Sequence, residues 1–317
     1  MPEPDVSRVV VRPIRDDEID SADRIFRVAF GTYLGVPDPA SFGGDSDCVR
    51  TRTRSDGVDT LVAELDGAVV GSNVITSWGS VGFFGPLTVR PDLWDKGIAR
   101  ALMARTLDVF ERRGVRVCGL YTFSQSTKHV RLYQRFGFWP RFLNATLFTR
   151  ISAKDRPAFE SFGGARDTGG ALADVRELCG AVFPGFDPTS EVRSVADQGL
   201  GDTVLVREGG RLVAFAVCHV GAGSEAGTGA ATMKIGAVRP GAGAQAAFGR
   251  LLDACEAFAA SRGALKLRGG VHTSRLEAYR TLIDRRWRSE LQGVSMISPA
   301  DGGGYDRPDV FVIEDWR

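Results

Sequence analysis

One junction in the sequence combines backbone geometry and small residues in a way that suits anion binding. It runs from the apolar segment Leu87 to Val89 through a proline turn to Gly97-Ile98-Ala99, where an amphipathic helix begins. The first N–H groups of a helix lack intrahelical partners and lie at the positive end of its dipole, so they can hold phosphate without charged side chains. Gly97 and Ala99 are small enough to let a phosphate approach the backbone. The junction therefore predicts a phosphate-binding loop.

The residues that follow predict a helix, a strand and a second, shorter helix. The first helix has a continuous apolar face and ends at Arg113-Gly114. That face consists of Ile98, Leu102, Met103, Thr106, Val109 and Phe110. A strand over Val115–Tyr121 and a short amphipathic helix that contains Tyr133 come next.

Together these segments resemble the acetyl-coenzyme A (acetyl-CoA) site of the GCN5-related N-acetyltransferase (GNAT) superfamily. The phosphate loop of that family reads Gln/Arg-x-x-Gly-x-Gly/Ala and falls on Trp94 to Ala99, with Trp94 in place of the polar first residue. A later family pattern, Leu-Tyr-x-x-Leu/Phe-Gly-Phe, falls without a gap on Leu132 to Phe138. Asp95 brings a carboxylate close to the phosphates, which weakens binding unless Lys96 or Arg100 offsets it.

The resemblance implies a role for each matched position. Tyr133 would be the general acid that protonates the departing thiolate after an amine attacks the thioester directly, and Ser126 stands where the family often has a cofactor-binding asparagine. The strand residues would pair with the pantetheine arm and the loop residues would hold the phosphates. The implied cofactor-binding residues are Leu87, Thr88, Val89, Asp95, Lys96, Gly97, Ile98, Ala99, Arg100 and Ser126.

The general base stays open among three candidates. His129 has a suitable pKa and lies one turn before Tyr133. Glu64 on a central strand could act through water. The segment that contains Glu314 and Asp315 is a third source of carboxylate, because some tandem GNAT enzymes place a terminal carboxylate near the substrate.

An internal repeat divides the chain. Val89-Arg90-Pro91 recurs as Val238-Arg239-Pro240, and the same offset brings Arg113-Gly114 onto Arg262-Gly263. We therefore predict an N-terminal GNAT domain over residues 1–151 and a degenerate copy over residues 152–317. In the second copy Phe248 replaces Ala99, so a bulky side chain stands where phosphate would approach.

The expected fold class is α/β of the GNAT-like α+β kind, with two mixed, mostly antiparallel sheets flanked by helices, one in each domain. Each copy has a hairpin signal before the repeat, at Asp66-Gly67 and at Gly209-Gly210. The glycine-rich run from Gly221 to Gly229 predicts a loop inside a further hairpin. A Rossmann-type nucleotide binder is excluded, because no GxGxxG follows the first strand.

Composition narrows the partners. A net charge of +1 over 317 residues gives no general attraction to nucleic acid or to an anionic membrane. No apolar run is long enough to cross a bilayer, and no signal peptide is evident, so we expect a cytoplasmic protein. The three histidines and five scattered cysteines suggest no metal site.

The leading hypothesis is an N-acetyltransferase for the primary amine of a small molecule, with acetyl-CoA as acyl donor and no metal. The alternatives are acetylation of a protein or peptide amine, and a non-catalytic module that binds acyl-CoA. Retention of Tyr133 argues against the non-catalytic module, because binding alone needs no acid. The oligomeric state is expected to be a monomer or a homodimer.

Overall fold

The computed structural model describes residues 8–152, 158–314 and 316, and it confirms the predicted α/β class. The first half begins with β1 and two helices and then alternates strands and helices. Its elements are β1 (Val10–Pro13), α1 (Ile19–Leu34), α2 (Val49–Thr53), β2 (Val58–Leu65), β3 (Ala68–Trp78), β4 (Val81–Val89), α3 (Ile98–Arg112), β5 (Val117–Thr122), α4 (Thr127–Gln134) and β6 (Trp139–Arg150).

The second half repeats this order and adds a short last strand. Its elements are β7 (Glu160–Ser161), α5 (Thr168–Val182), α6 (Thr189–Asp197), β8 (Gly201–Glu208), β9 (Arg211–Gly221), β10 (Gly227–Val238), α7 (Ala244–Ser261), β11 (Lys266–His272), α8 (Leu276–Asp284), β12 (Arg288–Ser298) and β13 (Val312–Ile313). The predicted hairpins at Asp66-Gly67 and Gly209-Gly210 are present as β2–β3 and β8–β9. Both residues of each turn have positive φ, which explains the choice of glycine and aspartate there.

The strands of both halves form one mostly antiparallel sheet, not the two separate sheets that the sequence predicted. The reason is an exchange of strands: β12 pairs with β5 of the first half, and β6 pairs with both β11 and β12. The sequence repeat shows that two similar units exist, but each unit completes its sheet with a strand of the other. The domain division at residue 151 stays a prediction about the sequence repeat.

The helices cover this sheet and create its core. The face of α3 that is buried is the one predicted from periodicity, from Ile98 to Phe110, and Gly114 ends the helix with φ at 67°. A second cluster lies between the halves and joins Trp78 and Phe83 to residues of α5, α6 and the C-terminal segment. The two halves are therefore packed through a shared apolar core. Among the described residues, no helix has both the length and the apolar character that a membrane crossing requires.

Candidate functional site

The candidate site is a cleft that opens where β4 and β5 separate. These parallel strands pair only from Val81–Val117 to Phe83–Gly119, and β4 then bulges at Gly85-Pro86 before it continues beside β3. Beyond that point the edge of β4 faces a cavity of about 790 Å³. Of the predicted cofactor-binding residues, Leu87, Thr88, Val89, Asp95, Gly97, Ile98, Ala99, Arg100 and Ser126 line this cavity, and Lys96 does not.

The predicted phosphate loop joins β4 to α3 at one end of the cavity. Gly97 is the N-cap of α3 and has φ at 91°, a left-handed conformation in which a side chain is strained. A Cβ placed on Gly97 would lie 3.6 Å from Nη2 of the Arg100 guanidinium. The helix N-terminus, the glycine and the arginine together fit an anionic ligand.

Two departures from the family pattern have structural explanations. The Trp94 indole Nε1 donates a hydrogen bond of 2.8 Å to the Val89 carbonyl, so this side chain braces the loop against the end of β4. Asp95 was expected to be offset by Lys96 or Arg100. It instead forms an ion pair of 2.7 Å with Lys128 at the start of α4, and that ammonium also lies 5.5 Å from the Trp94 ring.

Helix α4 presents two functional candidates on one face. His129 and Tyr133 are one helical turn apart and both line the cavity. The Ser126 hydroxyl lies 2.9 Å from His129 Nδ1, which leaves Nε2 as the ring nitrogen for other partners. Burial, and then the charge of Lys128, lower the pKa of His129, so the imidazole is neutral at pH 7. Burial raises the pKa of Tyr133, whose ring packs 5.7 Å from that of Phe84, so this phenol keeps its proton.

The other two base candidates are held elsewhere. Glu64 is hydrogen-bonded at 2.9 Å by Arg12 on the β1 side of the sheet and does not line the cavity. Glu314 is fully buried and accepts hydrogen bonds from Tyr305 and Trp316 through Oε2. Its Oε1 lies 2.9 Å from Nε2 of His272. Asp315 lies outside the described residues. His129 is thus the one of the three described candidates in the cavity wall.

The second half contributes side chains to this same cavity. The loop between β9 and β10 crosses to the first half, where the Gly223 N–H donates to the Asp45 carbonyl and the Asp47 N–H donates to the Ser224 carbonyl. It delivers Glu225 to the cavity wall, together with Leu291 of β12 and Trp316.

Glu225 forms a buried ion-pair cluster. It accepts from Arg52 at 2.8 and 2.5 Å and from Lys234 at 2.7 and 2.8 Å. Burial alone would raise the pKa of Glu225, but the charges of Arg52 and Lys234 hold it well below its ordinary range. The third nitrogen of the Arg52 guanidinium, Nη1, donates a hydrogen bond to the Gly85 carbonyl in the bulge of β4. The cluster therefore lies where the cleft opens.

The equivalent cleft of the second half is filled by the chain itself. β10 and β11 also separate, after four paired residues where β4 and β5 have three, and their pairing starts in the same register. Gly236 and Ala237, which correspond to Leu87 and Thr88, pair with β13, and the Val238 N–H donates to the Phe311 carbonyl at 3.0 Å. Phe248 packs against Phe311 at 5.1 Å.

Comparison with known proteins places the site in a family. Residues 27–138 match the family model described as acetyltransferase (GNAT) family. The match covers about a third of the chain, so the first half of the chain contains a segment similar to GNAT acetyltransferases. The activity that this similarity supports is acyl transfer. A comparison with curated protein sequences finds no match.

Solved structures extend the fold similarity over both halves of the chain. A candidate acetyltransferase from Pyrococcus horikoshii has a TM-score of 0.68 at 15% identity, covering 98% of this chain and 95% of its own. A GCN5-related N-acetyltransferase from Sphaerobacter thermophilus has a TM-score of 0.59 at 15% identity, covering 92% of this chain and 95% of its own. A tandem GNAT protein from the clavulanic acid biosynthesis pathway has a TM-score of 0.56 at 13% identity, covering 92% of this chain and 98% of its own. The tandem arrangement is therefore a shared fold.

Sequence reasoning missed Arg52, Glu225 and the cavity-facing aromatic residues of α1. One signal for Glu225 is present in the spacing: the hairpin turns of the two copies are 143 residues apart, whereas Val89 and Val238 are 149 apart. The second copy thus has six additional residues between these points, and the β9–β10 loop with Glu225 lies among them.

Proposed function

We propose that this protein transfers an acetyl group from acetyl-CoA to the primary amine of a small molecule by direct attack. The observation that carries the proposal is one continuous cavity that contains the N-terminus of α3, the open edge of β4, and both His129 and Tyr133 on α4. The α3 end fits the phosphates of acetyl-CoA, and the unpaired edge of β4 fits its pantetheine amides. The point where β4 and β5 separate then lies close to the thioester.

The residues divide the proton transfers between them. The amine nitrogen attacks the thioester carbonyl carbon, and the carbon–sulfur bond breaks. Neutral His129 accepts the proton that the amine loses, and Tyr133 donates its phenolic proton to the sulfur. Their burial favours the neutral imidazole and the protonated phenol, which are the two states that this division requires.

A small acceptor is favoured over a protein or peptide. The β9–β10 loop and Trp316 of the second half form part of the cavity wall, and an enclosed wall suits a compact amine. The retained Tyr133 favours catalysis over acyl-CoA binding alone.

Calorimetric titration with acetyl-CoA is the first test of this proposal. We expect one site per chain, because β13 fills the second cleft. No binding would contradict the acetyltransferase function, and two sites would contradict the assignment of a single working copy.

Substitution of Tyr133 by phenylalanine tests the chemistry separately. Tyr133→Phe removes only the hydroxyl, so we expect kcat to fall by about 10²-fold while the Kd for acetyl-CoA is unchanged. Release of the coenzyme A thiol in the presence of an amine provides the rate. An unchanged kcat would remove Tyr133 from the mechanism.

A further inference from the structure

Helix α1 carries an aromatic face toward the cavity. Ala22, Ile25 and Ala29 are buried on the helix, which packs on β3 and β4. The adjacent face places Phe26, Phe30 and Tyr33 at intervals of four and three residues, and all three line the cavity. These rings are only partly buried, so the helix exposes apolar side chains to the cavity.

Two groups of rings line the cavity, and together they form what we call the ring chamber, defined by Phe26, Phe30, Tyr33, Phe42 and Phe123. Neighbouring ring centroids lie 5.2 to 5.6 Å apart, from Phe26 through Phe30 and Phe42, and from Tyr33 to Phe123. Such spacing is that of packed aromatic pairs, which hold a defined shape.

The ring chamber is continuous with the catalytic face of α4. The Tyr33 ring lies 5.3 Å from the imidazole of His129. An amine whose body occupied the chamber would therefore have its nitrogen close to the candidate base. The phosphates are assigned instead to the part of the cavity wall that is formed by the N-terminus of α3 and Arg100.

Two charged groups of the cavity wall, Arg52 and Glu225, are already paired. Each guanidinium nitrogen of Arg52 donates to Glu225 or to the Gly85 carbonyl, and both oxygens of Glu225 accept from Arg52 and Lys234. A carboxylate or a second ammonium on the acceptor would have to displace these buried partners, at a large cost in desolvation. Trp316 closes the wall here: its ring covers Gly119, and its carbonyl accepts from the Tyr121 N–H at 3.1 Å.

From this arrangement we infer that the acceptor is a primary amine on an apolar, ring-sized group with no further charge. Aromatic rings also attract the single ammonium in which the amine arrives. This ammonium releases one proton to water before it attacks, and His129 accepts the second proton as the amide forms. The inference rests on the proposed acetyl transfer and specifies its acceptor. The chamber determines which amine is used, and α4 carries out the proton transfers.

The test compares amines of different bodies by the rate of coenzyme A thiol release. We expect kcat/KM for 2-phenylethylamine to exceed that for ethanolamine, spermidine and glucosamine by at least about tenfold. Burial of an aromatic ring favours binding by more than about tenfold, which is the reason for this expectation. A preference for spermidine or glucosamine would overturn the inference and leave acetyl transfer intact.

Binding provides a second readout that does not depend on turnover. Calorimetric titration of 2-phenylethylamine into the protein saturated with coenzyme A should show binding that weakens at least about fivefold in Phe30→Ala. If the alanine variant unfolds, Phe30→Leu replaces it, because leucine keeps an apolar side chain at this position. Its affinity for 2-phenylethylamine should fall by less than that of Phe30→Ala. The matched control is Leu265→Ala, because Leu265 is an apolar side chain that is 72% exposed and outside the cavity.

The outcomes separate the two claims. Aromatic amine binding that Phe30→Ala weakens, without any turnover, would support the chamber and contradict acetyl transfer. Absence of 2-phenylethylamine binding, or equal binding in wild type and Phe30→Ala, would overturn the ring-chamber assignment whatever the turnover.

Discussion

At the scale of single residues, Gly97 has the most demanding position in the site. It combines a left-handed backbone with the N-cap of α3, and a side chain there would be both strained and close to Arg100. We expect Gly97→Val to abolish acetyl-CoA binding in a calorimetric titration. Gly114→Val is the matched control, because Gly114 has φ at 67° at the other end of the same helix and nothing within 4 Å of its added Cβ. Equal loss of binding in both variants would show that helix strain, not the phosphate loop, is responsible.

The role proposed for His129 predicts a pH dependence of the reaction. Its neighbours are Ser126, Tyr33, Lys128 and, beyond the lysine, Asp95. Burial lowers the pKa of His129, so the neutral base persists below the ordinary histidine value of about 6.5 and is lost only at more acidic pH. We expect kcat to fall on the acidic side of that value in wild type. His129→Gln should have a kcat at least about tenfold lower, without this acidic inflection. The same inflection in both proteins would exclude His129 as the base.

At the scale of elements, β13 explains why the second copy carries no open cleft. The sequence identified Phe248 as the obstacle, and the structure adds that Phe311 and β13 occupy the cleft beyond it. We expect Phe248→Gly to lower the free energy of unfolding by about 3–5 kcal/mol, because a fully buried ring is lost. It should nevertheless create no second acetyl-CoA site, and kcat of the folded protein should be unchanged. Denaturant titration and calorimetry measure these effects. A second site in this variant would mean that Phe248 alone closes the cleft.

At the scale of the whole molecule, the halves depend on each other through Glu225. Removal of its charge leaves Arg52 and Lys234 buried without their partner, so we expect Glu225→Gln to lower the free energy of unfolding by about 3–5 kcal/mol. The KM for the amine should rise, while the Kd for acetyl-CoA stays the same, because Arg52 contacts β4 at Gly85 whereas the predicted phosphate loop follows the end of that strand.

The chain contains a matched control for this prediction. Glu290 also pairs with one arginine and one lysine, Arg268 and Lys266, but these side chains are about a quarter to a third exposed. Glu290→Gln should therefore cost no more than about 1 kcal/mol. Equal destabilisation in the two variants would show that burial of the Glu225 cluster contributes nothing. Both unfolding curves are measured at pH 7, because the low pKa of Glu225 means that its stabilisation is lost as the pH falls below the ordinary glutamate range.

The sequence by itself determined the features that depend on local spacing. The buried face of α3 follows from a period of 3.6 residues, the two hairpins follow from turn residues that tolerate positive φ, and the start of α3 follows from the glycine before it. The motif on α4 predicted a helix with Tyr133 on its buried face, and the structure places it there. Each of these features involves residues close together in the chain.

Only the tertiary structure decided the features that join distant segments. Pairing of β12 with β5, insertion of β13 beside β10, and delivery of Glu225 to Arg52 bring together residues many positions apart. Periodicity identifies which face of a strand is buried but not which strand lies beside it, since any strand edge offers the same backbone donors and acceptors. The composition of the cavity wall depends on these choices. For that reason the sequence indicated the acyl donor, whereas the chamber proposed for the acceptor became visible only in the folded chain.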